Sequence, residues 1–320
     1  MTANTVLVSV IVASHNAKET IAKCLAAIRE QQEGQNVEIL VVDNSTDGTT
    51  EILRQRFPNV NLIVERPSAL IPELWATGIR QSVGQVVAIT TAHCIPDEGW
   101  LAAILRAHES PVAAVGGAIE SDPEVGIVDW AIYFCRYSPY MLPFHEREAV
   151  DLAGDNASYK RVHLDNVELS WRNGFWEPAV HAELRNAGLQ LLLTPAIVIR
   201  HKRSFSVWGF IVQRFHHGIQ FGRERAARFK TPMRIVYFLL SPIIPVLYVA
   251  RIARQVILKR GLWDKFLLAF PAMSVFLIAW TLGEAIGYLC RQSVHTKPEL
   301  FERPTPERIG ENPVDHAETP

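Results

Sequence analysis

Residues 37–50 constrain this chain most: Val-Glu-Ile-Leu-Val-Val-Asp-Asn-Ser-Thr-Asp-Gly-Thr-Thr. The apolar opening, rich in β-branched residues, predicts a strand buried on both faces. It stops at Asp43, and Asn44, Ser45, Thr46, Asp47 and Gly48 make a turn-forming cluster. From Thr49 onward, with Glu51 in the first turn and Ile52, Leu53 and Phe57 following, the pattern becomes helical. A buried strand ending in a carboxylate and a polar turn puts Asp43 at the carboxyl edge of a sheet. Open α/β sheets bind ligands at that edge. The plainer alternative is a strand-to-helix turn with Asp47 as N-cap.

The same unit repeats. Residues 6–13 predict a strand that runs into Ser14, His15 and Asn16. Asn16 and Glu19 have the spacing of a capping box for a helix carrying Ile21, Leu25 and Ile28 on one face. Further strands are expected at 60–65, 85–91 and 112–119, the last with Gly116 and Gly117 inside it. Strands alternating with helices mean an α/β fold, a Rossmann-like, mostly parallel sheet with helices on both faces. No G-x-G-x-x-G or Walker A pattern occurs, which argues against a dinucleotide or P-loop site. A formal net charge of −1 over 320 residues gives no bulk pull toward nucleic acid, so no nucleic-acid partner is expected. Cys24, Cys94, Cys135 and Cys290 show no paired spacing, which suits a reducing compartment and no zinc site. The first apolar run lacks both a basic lead and a small-residue cleavage site, so it does not read as a signal peptide.

Two stretches carry a family likeness. Val10-Ile11-Val12-Ala13-Ser14-His15-Asn16, followed by Val41-Val42-Asp43-Asn44-Ser45-Thr46-Asp47-Gly48-Thr49, resembles the opening of family 2 glycosyltransferases of GT-A fold. The resemblance runs to about His217. It implies a nucleotide-sugar donor bound at the carboxyl edge of the sheet, with Ser14, Glu19, Asp43, Ser45 and Asp47 around the nucleotide. Asp43 matches the carboxylate that accepts from the base, a charge-assisted hydrogen bond. Ser14 and Asn16 as caps, and Glu19 as a capping acid, are the alternatives.

The fourth strand departs from that pattern. The family ends it in Asp-x-Asp, whose carboxylates hold Mg²⁺ or Mn²⁺ against the donor diphosphate. Here Thr91 and His93 occupy the two acidic places, while the Pro96 and Trp100-Leu101 frame is kept. A neutral imidazole at His93 can ligate Mn²⁺ but suits Mg²⁺ poorly. The implied cofactor is therefore a divalent cation, Mn²⁺ or Mg²⁺, whose site is weakened by the loss of Asp-x-Asp. The alternative for His93 is a lone polar histidine in a loop. Asp97 and Glu98 suit the first turn of a helix.

Downstream, residues 154–161 resemble the segment lining the acceptor side, with Asp155 and Asn156 expected to face the sugar; an Asx turn explains them as well. Counting back from Gly188 sets Trp176 and Glu177 on the family's Glu-Asp pair, so Glu177 takes the place of the catalytic base, with Trp176 beside it on the acceptor side. Pro178 suits the first helical position, leaving Glu177 at or near the N-cap. An inverting transferase needs one carboxylate to take the acceptor's proton; a plain N-cap acid is the other reading. The strand at 191–200 closes in His201, a match for a histidine that reaches the metal in some members. Arg214, in Gln213-Arg214-Phe215-His216-His217, is similar to an arginine of membrane-bound members that would neutralise diphosphate charge. Arg214 could equally belong to the basic run with Arg223, Arg225, Arg228 and Lys230.

After Arg234 the composition shifts. Residues 235–250 hold no charge, nor do 266–283, and each stretch approaches the about 20 residues of a spanning helix. The link between them carries Arg251, Arg254, Lys259, Arg260 and Lys265. Enzymes using nucleotide sugars work in the cytoplasm, so two full spans would place this basic link outside, against the positive-inside tendency. A re-entrant or interfacial hairpin removes the conflict, and a buried hairpin of a soluble protein is the alternative. The expected organisation is a GT-A domain over 1–230, a membrane-associated helical hairpin over 231–292 and a disordered tail over 293–320.

The expected function is inverting hexosyl transfer from a nucleotide sugar to a lipid-linked or cell-surface glycan acceptor. It would occur at the cytoplasmic face of the inner membrane, in cell-envelope polysaccharide synthesis. A non-catalytic nucleotide-sugar-binding scaffold of the same fold is the competing class, and a nucleotidyltransferase is a weaker third.

Overall fold

The computed structural model describes residues 6–32, 36–202, 206–227, 230–259 and 261–290. The expected disordered tail lies outside the described residues. The first half alternates as the sequence predicts: β1 (Val8–Ser14), α1 (Ile21–Glu30), β2 (Val37–Asp43), α2 (Thr49–Arg56), β3 (Asn61–Val64), α3 (Ile71–Gln81) and β4 (Val86–Thr91). Then come β5 (Cys94–Pro96), α4 (Trp100–Ala107), β6 (Ala114–Ser121), α5 (Ile127–Tyr137), β7 (Arg147–Glu148), β8 (Asn156–Lys160), α6 (Arg161–Asn166), α7 (Glu177–Asn186) and β9 (Leu191–His201).

The strands form one sheet in the order β3-β2-β1-β4-β8-β6-β9-β5, with β7 on β9. β1 to β4 are mutually parallel, and the largely apolar β1, β2 and β4 are buried through most of their length. β8 then enters antiparallel between β4 and β6. This insertion brings the residues just before β8 beside the carboxyl end of β4. β1 and β2 run in register from Val8↔Val37 to Ser14↔Asp43, so Ser14 and Asp43 share the carboxyl edge. Two apolar layers sandwich the sheet. One is built on Ile21, Leu25, Trp100 and Phe134, the other on Leu74, Trp75, Tyr159 and Phe175.

One local expectation fails. Asn16 and Glu19 do not form a capping box, because α1 begins at Ile21 after the N-cap Thr20. Asn16 takes a left-handed conformation, φ 48°, and its Oδ1 accepts from the Thr46 amide at 2.9 Å. The side chain that could have capped α1 clamps the β2–α2 turn instead.

The described residues end in four α-helices: α8 (Val207–Ala227), α9 (Thr231–Leu240), α10 (Ile244–Leu258) and α11 (Trp263–Leu289). They continue the core of the sheet domain. Phe266 meets Phe134 edge-on at 5.8 Å, and Phe276 meets Phe210 at 4.8 Å. Two segments, Thr231–Leu258 and Trp263–Leu289, are long and apolar enough to cross a membrane. The first keeps most of its apolar surface exposed, including Leu239, Val246 and Leu247. The second buries Phe266, Met273 and Phe276 but exposes Leu267, Leu268 and Ile278.

Candidate active site

Two short strand ends and one helix start make the site. At the first, the β2–α2 turn is tied down by its own side chains. Asp43 is fully buried, its two carboxylate oxygens accepting from Ser45 Oγ at 2.6 Å and Thr50 Oγ1 at 2.5 Å. Ser45 Oγ in turn accepts from the Asn16 amide at 2.8 Å. Asp47 accepts from the amides of Thr49 and Lys18 at 3.1 and 3.2 Å. Gly48, not Asp47, is the N-cap of α2. Asp43, Ser45 and Asp47 are thus brought together, but Asp43 and Asp47 are both engaged in shaping the turn. Ser14 Oγ lies buried at the same edge with no hydrogen-bond partner among the described residues, and Glu19 is exposed.

At the second, β4 ends in Thr91. Its hydroxyl donates to Asp155 Oδ1 at 3.1 Å, and the Thr90 hydroxyl donates to the Asp155 carbonyl at 2.8 Å. Asp155 Oδ2 accepts from the Tyr137 hydroxyl at 2.8 Å and lies 3.8 Å from Arg136 Nη2. Asp155 therefore faces the end of β4 rather than standing apart on an acceptor wall. Its neighbour Asn156 corrects the other acceptor-side expectation. It is buried, with Nδ2 donating to the carbonyls of Ala118 and Ile197 at 2.9 and 3.2 Å and Oδ1 accepting from Trp100 Nε1 at 2.9 Å. An amide so fully engaged pins the core where β6 bulges and has nothing left for a sugar.

The third piece is Glu177. α7 starts at Glu177, with Trp176 as its N-cap and Pro178 second, so the helix begins one residue earlier than the sequence suggests. Glu177 Oε1 accepts from the Gly154 amide at 3.2 Å, and Gly154 leads straight into Asp155. A Cβ at Gly154 would lie 2.6 Å from both Glu177 Oε1 and the Trp75 ring, so only glycine lets these elements meet. Burial, helped by the nearby charges of Asp155 and Asp151, pushes the Glu177 carboxyl up to about 8. Behind it stands a support in which His181 and Tyr159 are buried and Asp151 is exposed. Asp151 pairs with His181 Nδ1, and His181 Nε2 faces the Tyr159 hydroxyl at 2.9 Å. Trp176 itself is half-buried beside Gly174.

Thr91, Asp155, Gly154 and Glu177 thus form one continuous line along the sheet edge. Chemically, the line offers a carboxyl poised to exchange a proton near neutral pH.

Around the end of β4 lie the histidines that the sequence offers as metal ligands. His93 is buried, with Nδ1 3.2 Å from Thr20 Oγ1 and Nε2 3.3 Å from the His15 carbonyl. His201 pairs with Cys94 across β5 and β9, and its ring lies 5.1 Å from that of Tyr137. Asp155, the carboxylate closest to Thr91 in the hydrogen-bond network, has a guanidinium beside it. Among the described residues no group of three or more His, Cys, Asp or Glu side chains is arranged to hold a metal ion. Hydroxyl, imidazole and a cation-paired carboxylate make a poor protein set for Mg²⁺, which favours carboxylate and phosphate oxygens, whereas an imidazole can serve Mn²⁺. Arg214, on α8, stacks over Phe210 and Trp280 at 5.0 and 5.3 Å and lies 3.0 Å from His217 Nδ1.

Residues 9–167 match the family model of glycosyl transferase family 2. The chain carries a glycosyl transferase family 2 domain. Within it, 126 residues are 36% identical to glycosyltransferase AglE of Haloferax volcanii, covering 38% of this chain and 41% of that relative. The matched part thus spans well under half of the relative's length. The architecture superposes on mannosyltransferase PcManGT from Pyrobaculum calidifontis, a structure in complex with GDP-Man and Mn²⁺. The TM-score is 0.52 at 19% identity, over 88% of this chain and 87% of that one, a likeness of fold. The glycosyl transferase family 2 domain therefore has the GT-A arrangement that the sequence motifs imply.

Sequence reasoning placed Glu177 and Asp43 at the edge but missed Arg136, Tyr137 and Trp75. Only the last had a usable signal, a tryptophan inside a helix just before β4.

Proposed function

We propose that the chain transfers a hexosyl group from a nucleotide sugar to a lipid-linked or glycan acceptor, with inversion, and that Glu177 is the general base. The acceptor hydroxyl attacks the anomeric carbon, the new C–O bond forms as the bond to the diphosphate oxygen breaks, and the nucleoside diphosphate leaves with the electron pair. Glu177 takes the hydroxyl proton. The observation that carries this reading is the Glu177 carboxyl, raised to about 8, one hydrogen bond from the strand-end line that includes Asp155. A base with a pKa near the working pH is the most effective one. Ser14, Ser45 and the β2–α2 turn would border the nucleotide.

The membrane side of the reading rests on the helices. Lys259, at the end of α10, pairs with Glu120 of β6, and Gln255 donates to the Met141 carbonyl at 2.8 Å. Lys259, at the start of the basic link, is held against β6 by this pair. That supports a re-entrant or interfacial bundle at the cytoplasmic face and an acceptor presented from lipid. The test is to supply full-length protein in membranes with a panel of nucleotide sugars and follow nucleoside diphosphate release. Release dependent on a membrane extract supports the reading; no release with any donor favours a sugar-nucleotide-binding scaffold.

A further inference from the structure

A general base works only where its carboxylate meets the acceptor's proton, and a misplacement of about 1 Å can cost about 100-fold in rate. Glu177 stands at the first position of α7, and helix ends fray. Resting on the base reading above, we propose that Asp151 and His181 are the positioning residues of Glu177: their pair locks residues 151–154 onto α7 and so fixes the base against Gly154.

His181 follows Glu177 by four residues, so the two side chains lie on one face of α7. His181 is fully buried and both ring nitrogens are engaged, Nδ1 by Asp151 and Nε2 by the Tyr159 hydroxyl at 2.9 Å. A carboxylate only accepts, so Nδ1 carries the proton and Nε2 accepts. Burial, and then the charge of nearby Glu177, raise the Tyr159 hydroxyl well above its ordinary value, so it keeps its proton and donates. Asp151 Oδ1 also accepts from the Leu152 amide at 3.0 Å, which sets the course of the chain toward Gly154. The Gly154 amide then donates to Glu177 Oε1 at 3.2 Å. The contacts close a ring: Asp151 to His181, one helical turn back to Glu177, across to Gly154 and along the chain to Asp151. Trp75 backs Gly154 so closely that a Cβ there would lie 2.6 Å from its ring. In packing this tight, a segment released at Asp151 shifts the amide that holds the base. The Asp151 side chain is itself 46% exposed, so what it contributes is the bond to His181 and not a place in the core.

The test uses full-length protein in membranes at a pH above about 8, where Glu177 is ionised and the rate reports its position. Transfer kcat and donor KM are measured for wild type, Asp151→Ala, Asp151→Asn and Glu177→Gln, with melting temperatures alongside. The proposal expects Asp151→Ala to lower kcat by about tenfold or more, with donor KM within about twofold of wild type. Asp151→Asn, whose amide oxygen still accepts from Nδ1–H, should recover most of that loss. Asp151→Ser repeats the test should the alanine variant fail to fold. A merely structural aspartate gives variants that melt lower yet, where folded, turn over as wild type, and that outcome overturns the proposal. So does an Asp151→Asn protein as slow as Asp151→Ala, since charge and not the bond would then be at work. In either case an impaired Glu177→Gln leaves the base reading standing. Wild-type turnover by Glu177→Gln, or no transfer by wild type with any donor, overturns both.

Discussion

Thr91 Oγ1 donates to Asp155 Oδ1 across 3.1 Å, joining the end of β4 to the residue just before β8. The bond exists because β8 is antiparallel between β4 and β6, so its first residues and the last residues of β4 share one edge. Burial raises the Glu177 carboxyl, and the charges of Asp155 and Asp151 push it the same way. The predictions below follow from this edge and from the helices that flank it.

The first concerns pH. A base must be ionised, so kcat/KM for transfer should rise with pH and level off above about 8, where the Glu177 carboxyl has lost its proton. Stability should move the other way. Folded Glu177 holds its proton up to about 8, whereas the unfolded chain releases it near the ordinary 4.5. Between those values the native state binds more protons, so burial of Glu177 costs progressively more stability as pH rises. Glu177→Gln removes that cost. Relative to wild type, it should gain on the order of 1–2 kcal/mol between pH 5 and pH 9 in urea denaturation, after discounting for partial exposure. A constant difference across that range would show that the carboxyl is not perturbed.

Asp43 gives the second. With both oxygens engaged by Ser45 and Thr50, Asp43→Ala should cost about 1.5–3 kcal/mol of stability, because two buried hydroxyls lose a charged partner. Thr50→Val, which loses one of these bonds, should cost less. If Asp43→Ala instead keeps full stability and loses nucleotide affinity alone, the carboxylate serves the base directly and the turn does not depend on it.

These two residues show what the sequence exposes and what it hides. β2 and its terminal Asp43 could be read because a β-branched run followed by Asn, Ser, Asp and Gly has little else to become. Glu177 could be placed because a helix start and the glycine after its end fix the count between them. Asn156 could not be assigned correctly, since a polar residue next to Asp155 looks the same whether it faces a sugar or caps three buried groups. Arg136 gave no signal at all. It lies 19 positions from Asp155 in sequence, at the end of an otherwise apolar helix, and only the insertion of β8 brings the two together. The basic link posed a topological conflict in the sequence, and the pairing of Lys259 with Glu120, far apart in the chain, could not be read from it.

The third prediction tests the packing of α8 on α11. Gly218 and Gly222 of α8 face Gly283 and Gly287 of α11 so closely that a Cβ on Gly283 would overlap the Phe215 carbonyl. The contact also buries Glu284, which accepts from Trp280 Nε1 at 3.1 Å and from the Tyr288 hydroxyl at 2.5 Å, with Arg225 at 3.3 Å. Gly283→Val must push the helices apart, and overpacking of this kind typically costs about 1–3 kcal/mol. The variant should melt several degrees below wild type in detergent. Gly126→Ala, whose Cβ meets only Asp129 Oδ2 at 3.6 Å, is the control. Equal melting of the two variants would mean that α8 and α11 are not packed this tightly.

The fourth concerns the membrane. Leu239, Leu247, Leu267 and Leu268 are all more than 60% exposed on the terminal helices. Replacing the four with serine should move the protein from the membrane pellet toward the soluble fraction, since each buried leucine contributes about 1.5–3 kcal/mol of transfer. The sheet domain should keep its fold, because none of the four is part of the core. Full truncation after Lys230 is a poorer test, since it would strip Phe266, Met273 and Phe276 from the core they share with Phe134. Retention of the quadruple variant in the pellet would place the anchor elsewhere.

The central claim is that Glu177 takes the acceptor's proton, and the most direct test measures rate and binding together. Wild type and Glu177→Gln are assayed side by side for sugar transfer from the productive donor and for binding of its nucleoside diphosphate. The account predicts a fall in turnover of about 10²–10⁴-fold, the range for loss of a general base, with diphosphate affinity within about twofold of wild type. A Glu177→Gln protein that is folded, binds the diphosphate and transfers at the wild-type rate would contradict the account.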